Sequence, residues 1–120
     1  MAYIPSMNRR LMTIVETPPY LARVAKLMNG EERNAVVDLV AADPECGVVM
    51  RGTGGVRKVR FAIGGRGKSA GVRIIYYFHN ESIPLFLLTV FAKNEKANLT
   101  QAERNALAAL TDILVKTYRR

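Results

Sequence analysis

The stretch from Ile83 to Ala92 (IPLFLLTVFA) limits this chain more than any other. From Pro84 onward it is apolar on whichever face of a strand a residue occupies, so it reads as a buried strand, central in its sheet. It has about half of the roughly 20 residues that a membrane-crossing helix needs, so no membrane span is expected. A buried strand requires neighbours, and two candidates precede it: Gly55 to Ile63 (GVRKVRFAI) and Val72 to Phe78 (VRIIYYF). The turn-rich segments GGRGKSAG and His79-Asn80-Glu81-Ser82 join the three into an antiparallel meander. Alternation puts Val59, Phe61 and Ile63 on the core face and aims Lys58 and Arg60 together at the other. In the second strand Val72, Ile74, Tyr76 and Phe78 share one face and Arg73, Ile75 and Tyr77 the other. Arg73 joins the first two cations if the register allows.

Helices flank the meander. Leu11 to Glu16 is a short strand ending at Thr17-Pro18-Pro19, an N-cap followed by a proline-started turn. A helix over about Pro19 to Met28 buries Leu21, Val24, Ala25 and Met28, and Asn29-Gly30 turns sharply. Glu31 and Glu32 suit the positive start of a second helix, whose stripe is Val36, Leu39 and Val40 and which closes at Asp43-Pro44. The two form a hairpin. Thr100-Gln101-Ala102-Glu103 is a capping box opening a last helix that covers the sheet, with Ala102, Ala106, Leu107, Leu110, Ile113, Leu114 and Tyr118 at helical spacing. Lys116, Arg119 and Arg120 complement the negative end of that helix.

Composition fits this plan: 120 residues suit one domain, residues 1–120, and 49% apolar content supports a real core. The N-terminus lacks an apolar core of signal-peptide length, which points to the cytoplasm. One cysteine, Cys46, excludes an intrachain disulfide and reads as small apolar filler. With 18 Lys plus Arg against 10 Asp plus Glu the formal charge is +8, and the surplus is local. No acidic residue lies between Cys46 and Asn80, whereas Arg51, Arg57, Lys58, Arg60, Arg66, Lys68 and Arg73 do. Eight of the nine glycines fall in the same window, where they let a polyanion approach the backbone. A charge surplus alone describes a solvated face; two cations aimed the same way from one strand point to a polyphosphate partner.

Several chemistries are excluded. Gly67-Lys68-Ser69 resembles the end of a phosphate loop, but Ala62 stands where the loop needs glycine and a strand follows where it needs a helix. His79, the sole histidine, sits in a hairpin turn. One Cys, one His and no carboxylate cluster leave no metal site, and no cofactor is expected. One nuclease route remains, because RNA carries its own nucleophile in the 2′-hydroxyl. Cations on a rigid sheet can hold the phosphate in line and stabilise the developing charge.

Met50 to Phe78 (MRGTGGVRKVRFAIGGRGKSAGVRIIYYF), followed by Leu87 to Thr100 (LLTVFAKNEKANLT), resembles the RelE/ParE superfamily of bacterial toxins, in its HigB-type RelE branch. The strings GTGG-x-RK-x-R, GRGK-x-x-G-x-R-x-IYY and KNE carry the likeness, which spans nearly the whole chain. It implies an α+β, RelE-like fold: a mainly antiparallel β-sheet, an N-terminal helical hairpin and a C-terminal helix packed on the sheet. It implies a toxin that cuts messenger RNA in the ribosomal decoding site. Its partner would be a cognate antitoxin, through which alone it would meet operator DNA. The family's Lys-x-Lys/Arg strand motif falls on Lys58 and Arg60, its Gly-x-Arg motif on Arg73, and the basic residue closing its central strand on Lys93. Lys58 is then the proton-transfer group, Arg60 and Arg73 phosphate clamps, and Lys93 a transition-state or RNA contact. Arg57, Arg66 and Lys68 either hold RNA or are solvated charges. RelE carries a tyrosine beyond the basic residue that closes its central strand, and Lys96 to Gln101 contains none. Tyr77 is the substitute to weigh, with sheet packing as its other explanation. The superfamily also includes gyrase poisons of the ParE type, and an inactive RNA- or antitoxin-binding protein would share the fold.

Overall fold

The computed structural model describes residues 12–63, 71–95 and 98–119. Strand β1 (Ile14–Glu16) leads into helices α1 (Pro18–Leu27) and α2 (Gly30–Ala42); then come β2 (Val48–Val49), β3 (Val56–Phe61), β4 (Val72–Tyr77), β5 (Leu85–Ala92) and helix α3 (Gln101–Tyr118). The strands form one sheet in the order β1-β5-β4-β3-β2. The expected α+β architecture is present, with the antiparallel meander β3-β4-β5 at its centre. Two pairings go beyond the sequence reading. β1 lies parallel to β5, with Ile14 opposite Leu85, and β2 adds an antiparallel edge to β3, with Val48 opposite Lys58.

Both faces of the sheet are covered, as the apolar character of β5 requires. On one side Tyr20 and Val24 of α1 and Val36 and Val40 of α2 pack on Val72, Ile74, Tyr76, Leu85, Leu87 and Val90. On the other, Leu107, Leu110, Leu114 and Val115 of α3 pack on Val56, Ile75, Tyr77, Phe86 and Leu88. Alternation along β5 is broken once. Thr89 pairs with Ile75 and Leu87 with Tyr76, so Leu88 is an inserted residue, a β-bulge. Leu85 and Leu87 face the hairpin before it, and Val90 faces the hairpin after it.

Local chemistry sets the helix ends. The prolines of α1 occupy its first positions, where a missing N–H costs nothing. Thr17 stands at the N-cap but does not cap: its hydroxyl donates to the Leu87 carbonyl at 2.9 Å, tying the helix start to β5. Asn29 is not merely a turn residue. Its side chain accepts from the Glu32 N–H at 2.8 Å while the Glu32 carboxylate accepts from the Asn29 N–H, a capping box that starts α2. The Thr100–Glu103 box opens α3 as expected.

The periodicity of α3 assigns the wrong residues to its inner face in part. Ala102 and Ala106 are exposed and Ile113 is 58% exposed. The rotation of this helix is set by Gly54, whose φ of +79° few other residues adopt. A Cβ there would stand 2.3 Å from Thr111 Oγ1 and 3.2 Å from Ala108 Cα. The helix therefore rides on bare backbone with Ala108 and Thr111 inward. Gly47 is constrained likewise, since a Cβ would meet the Tyr76 ring at 2.8 Å. The Tyr76 hydroxyl accepts from the Gly47 N–H and donates to the Pro44 carbonyl, both at 2.8 Å, with Cys46 Sγ 3.6 Å away. Burial, reinforced by that thiol, holds the phenol protonated far above its ordinary range. No described helix is long and apolar enough to cross a membrane.

Glu16, at the end of β1, is gripped by Arg33 of α2 through two parallel bonds of 2.8 and 2.9 Å. The Arg33 guanidinium holds its carboxyl below the usual carboxylate range. A depressed carboxylate contributes stability that is complete above its unfolded pKa, about 4.3, and is lost as pH falls through the lower folded value. Glu16→Gln should lower the thermal midpoint by a few degrees at pH 7, and the difference should be smaller at pH 3, below the unfolded pKa of about 4.3. Thermal unfolding followed by circular dichroism at both pH values checks this; a constant difference would remove the ion pair as its cause.

Candidate functional site

The register of the meander aligns the cations. Arg60 lies directly opposite Arg73, and Lys58 opposite Ile75. Paired residues of an antiparallel ladder project to the same side, so Lys58, Arg60 and Arg73 share the face on which α3 packs. Across β5, Phe91 pairs with Arg73 and completes a row Arg60-Arg73-Phe91. Helix α3 covers only the half of this face built from Val56, Ile75 and Tyr77. The other half keeps Lys58 and Arg73 half-buried and Arg60 exposed.

Two open grooves meet at Arg73. One, of about 210 Å³, has Ile75, Phe91 and Leu99 in its lining, with Val48 to Met50 and the cations Arg51, Lys58, Arg73 and Arg104. The second, of about 160 Å³, lies between Arg60, Arg73 and Lys93, over Phe61 to Ala62 and Gly71 to Val72. Of the expected site residues, Lys58, Arg60, Arg73 and Lys93 are thus brought together, and among the described residues no carboxylate lines either groove. Such a surface binds anions, most strongly where cations converge on a partly dry floor.

The supports are specific. The turn after β5 that presents Lys93 is organised by Glu95, whose carboxylate accepts from the Ala92 N–H at 3.0 Å and pairs with Arg23 of α1. Arg23 also donates through Nε to the Val90 carbonyl at 3.0 Å, so α1 reaches across the open edge of β5. On the opposite side, the turn between β2 and β3 is closed by Thr53. Its buried hydroxyl donates to the Met50 carbonyl at 2.7 Å and accepts from the Val56 N–H at 3.0 Å. Arg104 of α3 donates to the Arg51 carbonyl and so ties that turn to the helix. The GTGG string therefore has a structural meaning: it seats α3 and starts β3 at the register that aligns Lys58 with the groove.

Other expectations meet a different outcome. Arg57 is not with the cluster. It pairs across the ladder with Tyr76, on the hairpin side, and its guanidinium donates to the Gly47 carbonyl at 2.7 Å and the Glu45 carbonyl at 3.2 Å. The alternation that aims Lys58 and Arg60 one way aims Arg57 the other. Arg66 and Lys68 lie outside the described residues. Tyr77 is on the face of the cations but beneath α3. It is buried among apolar neighbours, outside the lining of both grooves, with its hydroxyl 3.1 Å from His79 Nδ1, and burial pushes its pKa up. His79 itself is exposed, at the end of the β4-β5 hairpin far from Arg73.

Arg51, Arg104, Glu95 and Arg23 were not legible as site residues. Arg104 did carry one signal: a cation within the first turns of a helix opposes the helix dipole, so something other than helix stability places it there.

One comparison bears on this geometry. A family model described as the RelE toxin of the RelE/RelB toxin-antitoxin system matches residues 23–120.

The separation of Arg57 from the cluster predicts opposite effects of two neighbouring substitutions. Arg57→Ala deprives two loop carbonyls of a charged donor and should cost about 1.5–3 kcal/mol. Arg60→Ala removes an exposed like-charge neighbour of Arg73 and should leave stability unchanged or slightly raised. Denaturant melts of the two variants check this; equal losses would contradict the assigned faces.

Proposed function

Because the chain belongs to the RelE toxin family, we propose that it cuts messenger RNA on the ribosome, using the 2′-hydroxyl of the RNA as nucleophile and no metal or cofactor. The family makes it the toxin of a toxin-antitoxin pair, with a RelB-type antitoxin as its partner. In the proposed reaction the target phosphate sits at Arg73, where the two grooves meet, clamped between Arg73 and Arg60. The 2′-oxygen bonds to phosphorus as the bond to the 5′-oxygen breaks. A cyclic 2′,3′-phosphate and a 5′-hydroxyl result. Arginines stay protonated throughout, so proton transfer falls to a lysine: Lys58 carries the proton from the 2′-hydroxyl to the departing 5′-oxygen, while Lys93 supports the charge that develops on the phosphorane oxygens. Arg66 and Lys68 extend RNA contact beyond the described residues. The work is done in the cytoplasm, and operator DNA is met only through the antitoxin.

The observation that carries this reading is the cross-strand pair Arg60 and Arg73 with Lys58 the next residue of β3 on the same face, on one rigid sheet face whose two grooves are lined by no carboxylate among the described residues. An arrangement of that kind repels metal ions and suits a substrate that brings its own nucleophile.

Mapping of messenger RNA 5′ ends after brief induction tests it. Wild type should give new cuts in translated RNA and none in the same RNA incubated with protein alone. Lys58→Ala and Arg73→Ala should each lose about a hundredfold or more of the cleavage while staying folded. Intact RNA together with gyrase-dependent DNA damage would replace this reading with a gyrase poison. Intact RNA with normal growth and retained antitoxin binding would make the chain an inactive binder.

A further inference from the structure

Arg23 of α1 lines neither groove, yet its guanidinium engages the end of β5 three times. Helix α1 packs on the hairpin side of the sheet, and β1 pairs with β5 from Leu85 to Leu87; among the described strands none lies beside the rest of that edge. Arg23 reaches round it. Its Nε donates to the Val90 carbonyl at 3.0 Å, its guanidinium carbon lies 5.7 Å from the centroid of the Phe91 ring, and its terminal nitrogen pairs with the Glu95 carboxylate. Phe91 is in the lining of the first groove and Lys93 in that of the second, so one side chain outside both holds the segment that serves each.

Lys93 follows the last residue of β5, and its place depends on that segment. Its N–H donates to the Gly71 carbonyl at 3.0 Å, which fixes the turn on the β4 side. The turn is closed by Glu95, whose N–H donates to the Ala92 carbonyl at 3.1 Å and whose carboxylate accepts from the Ala92 N–H at 3.0 Å. Arg23 matches the charge of that carboxylate, and among the described residues Lys93 forms no ion pair. With the two partners 33% and 36% exposed, the Arg23–Glu95 pair adds little to stability, so its main consequence is geometric. We infer that Arg23 is a positioning residue: through Glu95 it sets the turn that presents Lys93 to the phosphate, from the side of the sheet opposite the chemistry, a role that rests on the cleavage proposed above. Charge supports a transition state only where the phosphorane oxygens form, and a displacement of about 1 Å can cost about a hundredfold in rate. A guanidinium can hold a carbonyl and a carboxylate at once in one plane, which an ammonium cannot reproduce.

Single-turnover cleavage of messenger RNA on purified ribosomes is measured across protein concentration for the full chain, Arg23→Ala, Lys93→Ala and the double variant. Arg23→Ala should lower the maximal rate about tenfold and keep the half-saturating concentration within about twofold of wild type. In the Lys93→Ala background it should lower the rate no further, because a residue that acts through Lys93 then has nothing left to position. Arg23→Lys, which keeps the charge without the fork, should recover part of the loss. Amide nitrogen relaxation of the free proteins gives a readout that does not depend on cleavage: Lys93 to Glu95 should loosen in Arg23→Ala while Leu85 to Leu87 stay as rigid as in wild type. A wild-type rate in Arg23→Ala, additive losses in the double variant, or an unchanged turn overturns the inference. A loss confined to the half-saturating concentration overturns it likewise and makes Arg23 a binding contact. A turn loosened in Arg23→Ala, where the wild type leaves translated RNA uncut, upholds the hold of Arg23 on Lys93 and removes the nuclease reading instead.

Discussion

Leu88 has no partner on β4, and the direction in which β5 presents its side chains reverses there. Had the alternation continued, Val90 would point toward α3 and Phe91 into the hairpin-side core. With the inserted residue, Val90 is buried against α1 and Phe91 comes out beside Arg73. The row Arg60-Arg73-Phe91, and the groove floor beneath it, therefore exist because of one extra residue in a strand. The bulge is held from both sides. Tyr76 and Ile75 keep their ladder positions on β4, and on the other edge the Thr17 hydroxyl donates to Leu87 with the Leu88 carbonyl 3.3 Å away. Helix α1 is thereby fixed to the sheet at the point where the strand irregularity would otherwise be free to slip.

The same sheet face is divided between stability and charge. Arg60 opposite Arg73 is a like-charge cross-strand pair, which costs up to about 1 kcal/mol. The half of the face under α3 more than offsets this, since fully burying a side chain such as Val56, Ile75, Phe86 or Leu88 contributes about 1.5–3 kcal/mol each. The two halves meet at Ile75, which is buried under α3 and pairs with Lys58, so the charged half stands beside a packed cluster that outweighs its cost. Lys58, Arg60 and Arg73 stand on two paired strands rather than on a loop, which is what positions groups to the tolerance that phosphate chemistry needs.

What the sequence made legible follows from how local each signal is. The capping box at Thr100 and the alternation of VRKVRF and VRIIYY are properties of a few adjacent residues, and they hold in the structure. The shared face of Lys58, Arg60 and Arg73 needed only a register, and the register supplies it. Features that depend on distant partners were hidden. Arg57 is surrounded by the carbonyls of a loop ten residues earlier, and Thr17 is drawn from its helix by a carbonyl of β5. The inner face of α3 is chosen by Gly54, so a stripe containing Ile113 looked as good as the true one. The bulge was invisible for a particular reason: a strand apolar on both faces reads the same in either phase, so nothing in PLFLLTVFA marks where the alternation reverses. The parallel β1-β5 pair, closed across most of the chain, left no local trace.

Among the described residues that line the two grooves, Lys58 and Lys93 are those able to exchange a proton, and the remaining charged groups there are arginines. Tyr77 is on the correct face but belongs to the covered half, and His79 belongs to the far end of the hairpin. In the proposed reaction the positive charge that draws RNA in, the charge that stabilises the phosphorane and the group that moves the proton all come from one small set of side chains. Binding and chemistry then cannot be separated by a ligand: whatever neutralises Arg60 and Arg73 removes the catalyst along with the binding site. An antitoxin segment carrying carboxylates need not reach into the grooves or distort the sheet to silence such a protein. It needs only to set those carboxylates against the exposed Arg60, at the rim of the groove that Arg60 shares with Arg73 and Lys93.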